Sequence, residues 1–373
     1  MIWYNKRMKI IEYFEGVEVI REHKGYFYSV GQAIAIVILG SMSGLKNLHE
    51  IHQWATHDKV RAFLSEEFGI SRIPCYYWLT ILVKIIDPES LNECFNEWIQ
   101  SLIPEGESVT IAVDGKEIRS MRKKNNPLNI ISAQIAEYGL TIAQEAVTDK
   151  KNEIPAVQEL LKKLKIKGCL ITADALHCQT KTAEIIIEKK ADYLLKVKGN
   201  QREMMKQIKE YVEDEDLRRE MDFVQTIEKN RSRIERRTAY TTHNIEWLYG
   251  KEKWSKLKCI GAIRSEVTHK GKTTVTWHYY ISSLALSAEE LLKRARLEWS
   301  VEAMHWLLDV HFKEDQCRIT EESTQRNLNI FRKVAINYVK MYKEKYKPKS
   351  ALNHIMFDCL MEPYLLKSLL FEN

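Results

Sequence analysis

Three carboxylates stand where their surroundings allow chemistry. Asp114 closes the apolar run 109–113 and is followed by Gly115-Lys116; Asp174 closes a second apolar run, 169–173, ahead of Ala175-Leu-His177. A carboxylate at the carboxyl end of a buried strand sits where open α/β sheets receive ligands, and two such strands side by side bring two carboxylates together. Like charges at that spacing repel and tolerate each other best with a cation between them. Oxygen donors favour magnesium or manganese over zinc. Taken singly, each Asp is also an ordinary turn residue. The third carboxylate, Glu302, lies in Arg296-Leu-Glu-Trp-Ser-Val-Glu302-Ala-Met-His-Trp-Leu-Leu-Asp309. At helical spacing Leu297, Val301, Met304 and Leu308 form an apolar stripe, while Glu298, Trp299, Glu302, His305, Trp306 and Asp309 share the neighbouring face. Tryptophan is seldom spent on a solvated surface, so that face either packs or handles a ligand.

The elements that must carry these residues change character along the chain. Residues 1–105 read as a helical domain, with apolar residues at helical spacing over 31–43, 47–68 and 79–102 around Asp87-Pro88. From Ser108 the pattern predicts strands over 109–113, 129–136 and 140–147, the last two joined by a Glu137-Tyr-Gly139 turn. A helix over 152–164, a strand over 169–173, a helix over 179–190 and a strand over 193–197 follow. The order β-β-β-α-β-α-β implies a mixed sheet covered by helices, the first part of a core spanning 106–202. A charged helix, 203–219, opens a segment with strands at 223–227, 234–242, 257–264 and 273–282, read as an inserted β-rich lobe over 203–284. The remainder, 285–373, begins with one helix over 287–308, with Ser287 as its N-cap and Glu290 as the capping-box partner, and continues with a helix over 321–346.

Composition narrows the classes. The chain has 373 residues, 45% hydrophobic and 29% charged, with 14 Gly and 7 Pro, which fits a folded protein and excludes long disordered or collagen-like tracts. Its longest apolar run, 30–42, falls short of the ~20 residues of a membrane span. No apolar signal core opens the sequence, so a cytoplasmic protein with no membrane partner is expected. Seven cysteines at wide spacing, without a Cys-x-x-Cys pair, suggest neither a disulfide framework nor a zinc ribbon. The net charge of +6 is matched within 316–349 alone, where nine Lys/Arg (318, 326, 332, 333, 340, 343, 345, 347, 349) face three Glu (321, 322, 344). Such a run is either a solvated helix face or a phosphate-binding surface. The 14 Gly are scattered, with no phosphate-cradling loop, which speaks against a nucleotide enzyme.

Six blocks carry a resemblance: Ala112-Val-Asp114-Gly-Lys116-Glu-Ile-Arg119, Lys151-Asn-Glu-Ile154, Thr172-Ala-Asp174-Ala-Leu-His-Cys-Gln179, Ala191-Asp-Tyr-Leu194, Lys198-Gly-Asn-Gln201 and the stretch from Arg296 to Asp315. In order and spacing they resemble the H-repeat-associated (ISAs-type) insertion-sequence transposases, over nearly the whole chain. Ile73-Pro74, Asp87-Pro88, Cys94-Phe95 and Trp98 are similar to the helical domain that accompanies that catalytic core. The resemblance implies an α/β, RNase H-like mixed sheet flanked by helices, with an Asp-Asp-Glu triad falling on Asp114, Asp174 and Glu302. The chain departs from the pattern at Glu298, where the group usually has His, and at Ala303, where Asn often follows the Glu.

The activity so implied is metal-dependent DNA strand cleavage and strand transfer, with two Mg2+ (or Mn2+) ions held by the triad. The implied partners are double-stranded DNA, as element terminal repeats and target, and a second copy of the chain on that DNA, at the nucleoid. The alternative is an inactive relic or repurposed DNA-binding protein. Lys116, Arg119, Lys198, Asn200 and Gln201 are expected at phosphates. Arg296 and His305 are further DNA-contact candidates, and Trp299 and Trp306 either stack on an unpaired base or pack on the sheet. The basic segment 229–237 either touches DNA or is a solvated hairpin.

Overall fold

The computed structural model describes residues 14, 16–20, 28–100, 109–122, 128–147, 153–230, 232–298 and 300–371. Its first long helix, α1 (Val30–Met42), is apolar nearly all round and buried accordingly, with Ser29 and Gln32 forming a reciprocal capping box at its start. The single helix expected over 47–68 is two, α2 (Leu48–Ala55) and α3 (Asp58–Phe68), because His57 takes an extended conformation between them. Gly69, in the left-handed region at φ +66°, ends α3. Likewise α4 (Tyr76–Ile85) and α5 (Pro88–Gln100) part at Asp87-Pro88, where proline opens a helix but cannot continue one.

Nine strands make one sheet in the order β3-β2-β1-β4-β5-β9-β8-β7-β6. The first three, β1 (Thr110–Glu117), β2 (Asn129–Ile135) and β3 (Leu140–Val147), form the expected meander, with Gly139 at φ +64° in the tight turn. β4 (Leu170–Ala173) lies parallel to β1, and β5 (Asp192–Val197) parallel to β4, through the crossover helices α7 (Glu153–Lys163) and α8 (Thr180–Glu188); α6 is the short Arg119–Arg122 turn of helix. After α9 (Arg202–Glu213) and α10 (Glu215–Arg219) come β6 (Asp222–Asn230), β7 (Arg233–Thr242), β8 (Cys259–His269) and β9 (Lys272–Ser282). These strands, expected as a lobe, extend the same sheet: β9 pairs with β5 from Leu194 opposite Ser282 to Val197 opposite Tyr279.

α11 (Ala288–Glu298) crosses the sheet over β1, β4, β6, β7 and β8, and α12 (Ser300–His311) packs on β1. They flank Trp299, which lies outside the described residues. Ser287 and Glu290 form the expected capping box, exchanging backbone hydrogen bonds of 3.2 and 3.0 Å.

α13 (Glu322–Tyr346) draws part of the basic run into the core, burying Arg332 and Lys333, while Arg318, Lys345 and Lys349 stay exposed. Lys333, 1% exposed, donates to Ser132 Oγ and Gln144 Oε1 at 2.7 Å each, and Lys340 donates to the Gly139 carbonyl. Asn337 pairs with both the amide and the carbonyl of Thr141 at 3.0 and 2.8 Å. The polar residues therefore satisfy strand and loop groups, while Phe331, Val334 and Val339 join a hydrophobic core shared with α1, α4 and α5. The chain ends in α14 (Leu352–Met361) and α15 (Leu365–Phe371). Among the described residues no helix is long and apolar enough to cross a membrane.

Candidate active site

Strand register assembles the first two carboxylates. In the parallel pair β1–β4, Val113 lies opposite Ala173, so the next residues, Asp114 and Asp174, emerge side by side where that pairing stops; β4 ends there, whereas β1, expected to end at 113, runs on to Glu117 because β2 continues to pair with it. Burial pushes the Asp114 carboxyl up to about 6; the Gly115 amide opposes this, and the Asp174 charge adds to it. Asp174 goes the other way: against its burial, the Ala175 amide and the Lys198 ammonium, 3.3 Å from Oδ1, hold it below the usual carboxylate value. The turn after Asp174 is closed by the His177 amide donating to the Asp174 carbonyl at 2.9 Å. Asn200 donates to the Ala175 carbonyl at 2.6 Å and Gln201 to the Cys178 carbonyl at 2.9 Å. These two amides brace the aspartate turn.

The helical side is looser. Val301 and Leu297 pack on Ala112, which shares a face of β1 with Asp114 and Lys116, and Met304 and Leu308 are fully buried. His305 Nδ1 lies 3.6 Å from Asp114 Oδ2. Burial, then Lys333 and Lys116, push this imidazole down to about 3, so it is neutral at physiological pH. Glu302, one turn earlier, is exposed, as is Trp306 at 57%. Glu298 is the residue to which sequence reasoning gave no role. Its carboxyl is half-buried and raised to about 7, first by burial and then, against Lys196, by Asp174 and Asp114; its Oε2 has no hydrogen-bond partner. The signal was available in the 298/302/305/309 stripe. Among the described residues no group of three or more His, Cys, Asp or Glu stands ready to hold a metal ion. The assembled unit is thus a pair of hard oxygen donors, with Glu298 and Glu302 on the helices above.

The basic candidates divide. Lys116 is drawn inward, 10% exposed, with Nζ 2.5 Å from Asp309 and 2.9 Å from Glu314. Glu314 is itself fully buried, yet Lys116 and Arg332 hold it down to about 2 against that burial. Lys116 thus serves an internal ion network and does not present its charge to a phosphate. Arg119 is 77% exposed, 3.5 Å from Asp315, and Lys198 is 55% exposed at the mouth. Arg296 is bound by Glu228, which also meets Arg237. In the basic segment 229–237, Lys229, Arg233 and Arg236 are exposed, Arg237 is buried against Glu228 and Glu235, and Arg231 lies outside the described residues.

Residues 105–338 match the family described as "Transposase DDE domain", and residues 11–99 the one described as "DDE_Tnp_1-associated". The "H repeat-associated putative transposase YhhI" of Escherichia coli (strain K12) is 30% identical over 348 residues, covering 88% of this chain and 90% of the relative. The "Putative transposase YncI" of Escherichia coli O157:H7 is 29% identical over 372 residues, covering 95% of this chain and 94% of the relative. Among solved structures, a piggyBac transposase synaptic complex with hairpin DNA superposes with a TM-score of 0.51 at 12% identity, over 99% of this chain and 80% of that one, a likeness of fold alone.

Proposed function

The chain belongs to the H-repeat-associated DDE transposases, and from that premise we propose that Asp114, Asp174 and Glu302 form the Asp-Asp-Glu centre of an insertion-sequence transposase that cuts and joins DNA. One observation carries the reading: the β1–β4 register sets Asp114 beside Asp174 at the sheet's carboxyl edge. The strand order β3-β2-β1-β4-β5, with two antiparallel and two parallel pairings, supports an RNase H-like core.

The donor set suits magnesium or manganese: two carboxylates side by side, one with a raised proton affinity, are hard donors that a divalent cation stabilises. Asp114, Asp174 and Glu302 would hold it, and one ion or two, when bound, would supply Lewis acidity at the scissile phosphate and a more acidic water. The chain's own residues do the rest. Neutral His305 stands beside Asp114 at 3.6 Å, Lys198 offsets the Asp174 charge until a cation arrives, and Arg119 offers a guanidinium to the DNA backbone. Trp306, exposed one turn beyond Glu302, presents a ring face to an unpaired base. In the first step water attacks phosphorus and the bond to the 3′ oxygen breaks, leaving a 3′-hydroxyl and a 5′-phosphate. In the second, that hydroxyl attacks a target phosphodiester and the target's own 3′ oxygen leaves, so no external energy source is consumed. A second copy of the chain on the paired element ends completes the proposal.

The test is cleavage of DNA carrying the element's ends in magnesium by wild type, Asp114→Asn and Asp174→Asn. Nicking that leaves a 3′-hydroxyl, lost in both variants, is the expected result; undiminished cleavage by either variant overturns the assignment.

A further inference from the structure

The block Lys151-Asn-Glu-Ile154 takes no part in the chemistry above, yet its Glu153 reaches the site from beneath. Side chains alternate along β1: Asp114 and Lys116 face α12 and Glu314, so Gly115 faces the opposite side of the sheet. There Glu153, in the first turn of α7, brings its carboxylate so close that a Cβ on Gly115 would lie 2.8 Å from Oε1. Gly115 does not adopt a left-handed backbone conformation. Its missing side chain makes room for the carboxylate. The same Oε1 is 3.5 Å from Nε2 of His177, which is 1% exposed and whose amide closes the turn that begins at Asp174. The other ring nitrogen of His177, Nδ1, is buried without a partner. One carboxylate therefore touches the residue after Asp114 and the last residue of the Asp174 turn.

We infer that Glu153 is a positioning residue: seated over Gly115 and against His177, it sets the spacing of the Asp114 and Asp174 carboxylates from the far face of the sheet. Both groups lie within electrostatic reach of Asp114, whose carboxyl Glu153 pushes up and His177 pulls down. Residues that orient metal-binding side chains typically change metal affinity by roughly 10–100-fold when altered. The inference rests on reading the two aspartates as a divalent-ion site, and the experiment separates the two claims.

Mn2+ affinity of the full-length chain is measured by the EPR signal of free Mn2+, alongside thermal melting. Gly115→Ala drives a methyl into the carboxylate and is expected to weaken Mn2+ at least about tenfold. Glu153→Asp withdraws the carboxylate by one methylene. Alone it also weakens binding, by loss of reach to His177; combined with Gly115→Ala it adds no further loss, so that the double variant recovers to the affinity of Glu153→Asp alone. A merely structural glycine would show no such reversal. Affinity unchanged in Gly115→Ala, or no recovery in the double variant, overturns the inference. The second measurement is the ring 15N spectrum of His177 in 15N-histidine-labelled protein, assigned with His177→Asn. Glu153→Gln is expected to shift both ring nitrogens, and unshifted signals overturn the inference even where Gly115→Ala does not fold. A wild type that binds no Mn2+ refutes the metal site itself, while the His177 spectrum still decides the role of Glu153.

Discussion

The two sides of the candidate site are held by different means. Asp114 and Asp174 sit on adjacent parallel strands, and their proximity follows from the backbone hydrogen bonds that set Val113 opposite Ala173. Glu302 and Glu298 ride on α12 and α11, anchored through Val301, Leu297, Met304 and Leu308, with one carboxylate exposed and the other half-buried. A register allows no small error, because a slip of one residue sends a side chain to the other face. A helix packed by an apolar stripe fixes the stripe and leaves neighbouring positions to compete for the role. The strand side therefore arrives assembled, and the helical side offers two carboxylates of different exposure.

The sharpest way to break this contrast is by substitution on both sides. Asp114→Asn or Asp174→Asn is expected to slow cleavage by at least about 1000-fold. Glu302→Gln should cost as much, and Glu298→Gln less than roughly tenfold. A severe Glu298→Gln with a mild Glu302→Gln, scored by the same cleavage assay, would move the third ligand one turn back along the helix.

Next in size is Lys116. Removing one partner of a buried ion pair costs about 3–5 kcal/mol, so Lys116→Met should lower unfolding stability in urea by about the lower end of that range, with Asp309 losing its partner and Glu314 left to Arg332 and Asn329. A phosphate-gripping lysine would instead leave stability alone.

Lys333 gives a pH signature. Burial pushes its ammonium down to about 7. Above that pH the folded chain holds Lys333 neutral while the unfolded chain still binds the proton, so its contribution to stability rises with pH until the ordinary lysine range is reached. Below about 7 both states are protonated and that part of the slope vanishes. Urea midpoints between pH 7 and pH 9.5 should therefore climb more steeply in wild type than in Lys333→Met.

The smallest effect belongs to Arg119. Arg119→Ala should leave folding unchanged and flatten the salt dependence of DNA binding by about one phosphate contact. An unchanged slope removes it from the DNA interface.

Much of this arrangement is legible in the amino-acid sequence. The apolar run ending at Asp174 marks the end of β4, the one ending at Asp114 marks where β1 leaves β4 although β1 itself runs on to Glu117, and the capping box at Ser287 marks the start of the helix that leads towards Glu302. What stayed hidden depends on which neighbour a polar side chain meets. Arg332, Lys333 and Lys340 read as a basic surface by type, yet they bind Glu314, Ser132, Gln144 and the Gly139 carbonyl inside the protein. His57 divides α2 from α3 without a glycine or proline to announce the break. Strands β6 to β9 look self-contained in sequence because the β5–β9 pairing that joins them to the sheet is a contact between distant segments. Glu153 has nothing in its spacing to show that it reaches beneath Gly115.

The central claim, that Asp114 and Asp174 together hold a divalent cation during DNA cleavage, is tested most directly by changing the donor atom. Asp174→Cys replaces a hard oxygen with a soft sulfur, which magnesium shuns and manganese tolerates. Cleavage of element-end DNA by this variant should vanish in Mg2+ and return in Mn2+, whereas wild type works in both. Equal activity of the variant in the two metals, or none in either alongside an intact fold, would contradict the account.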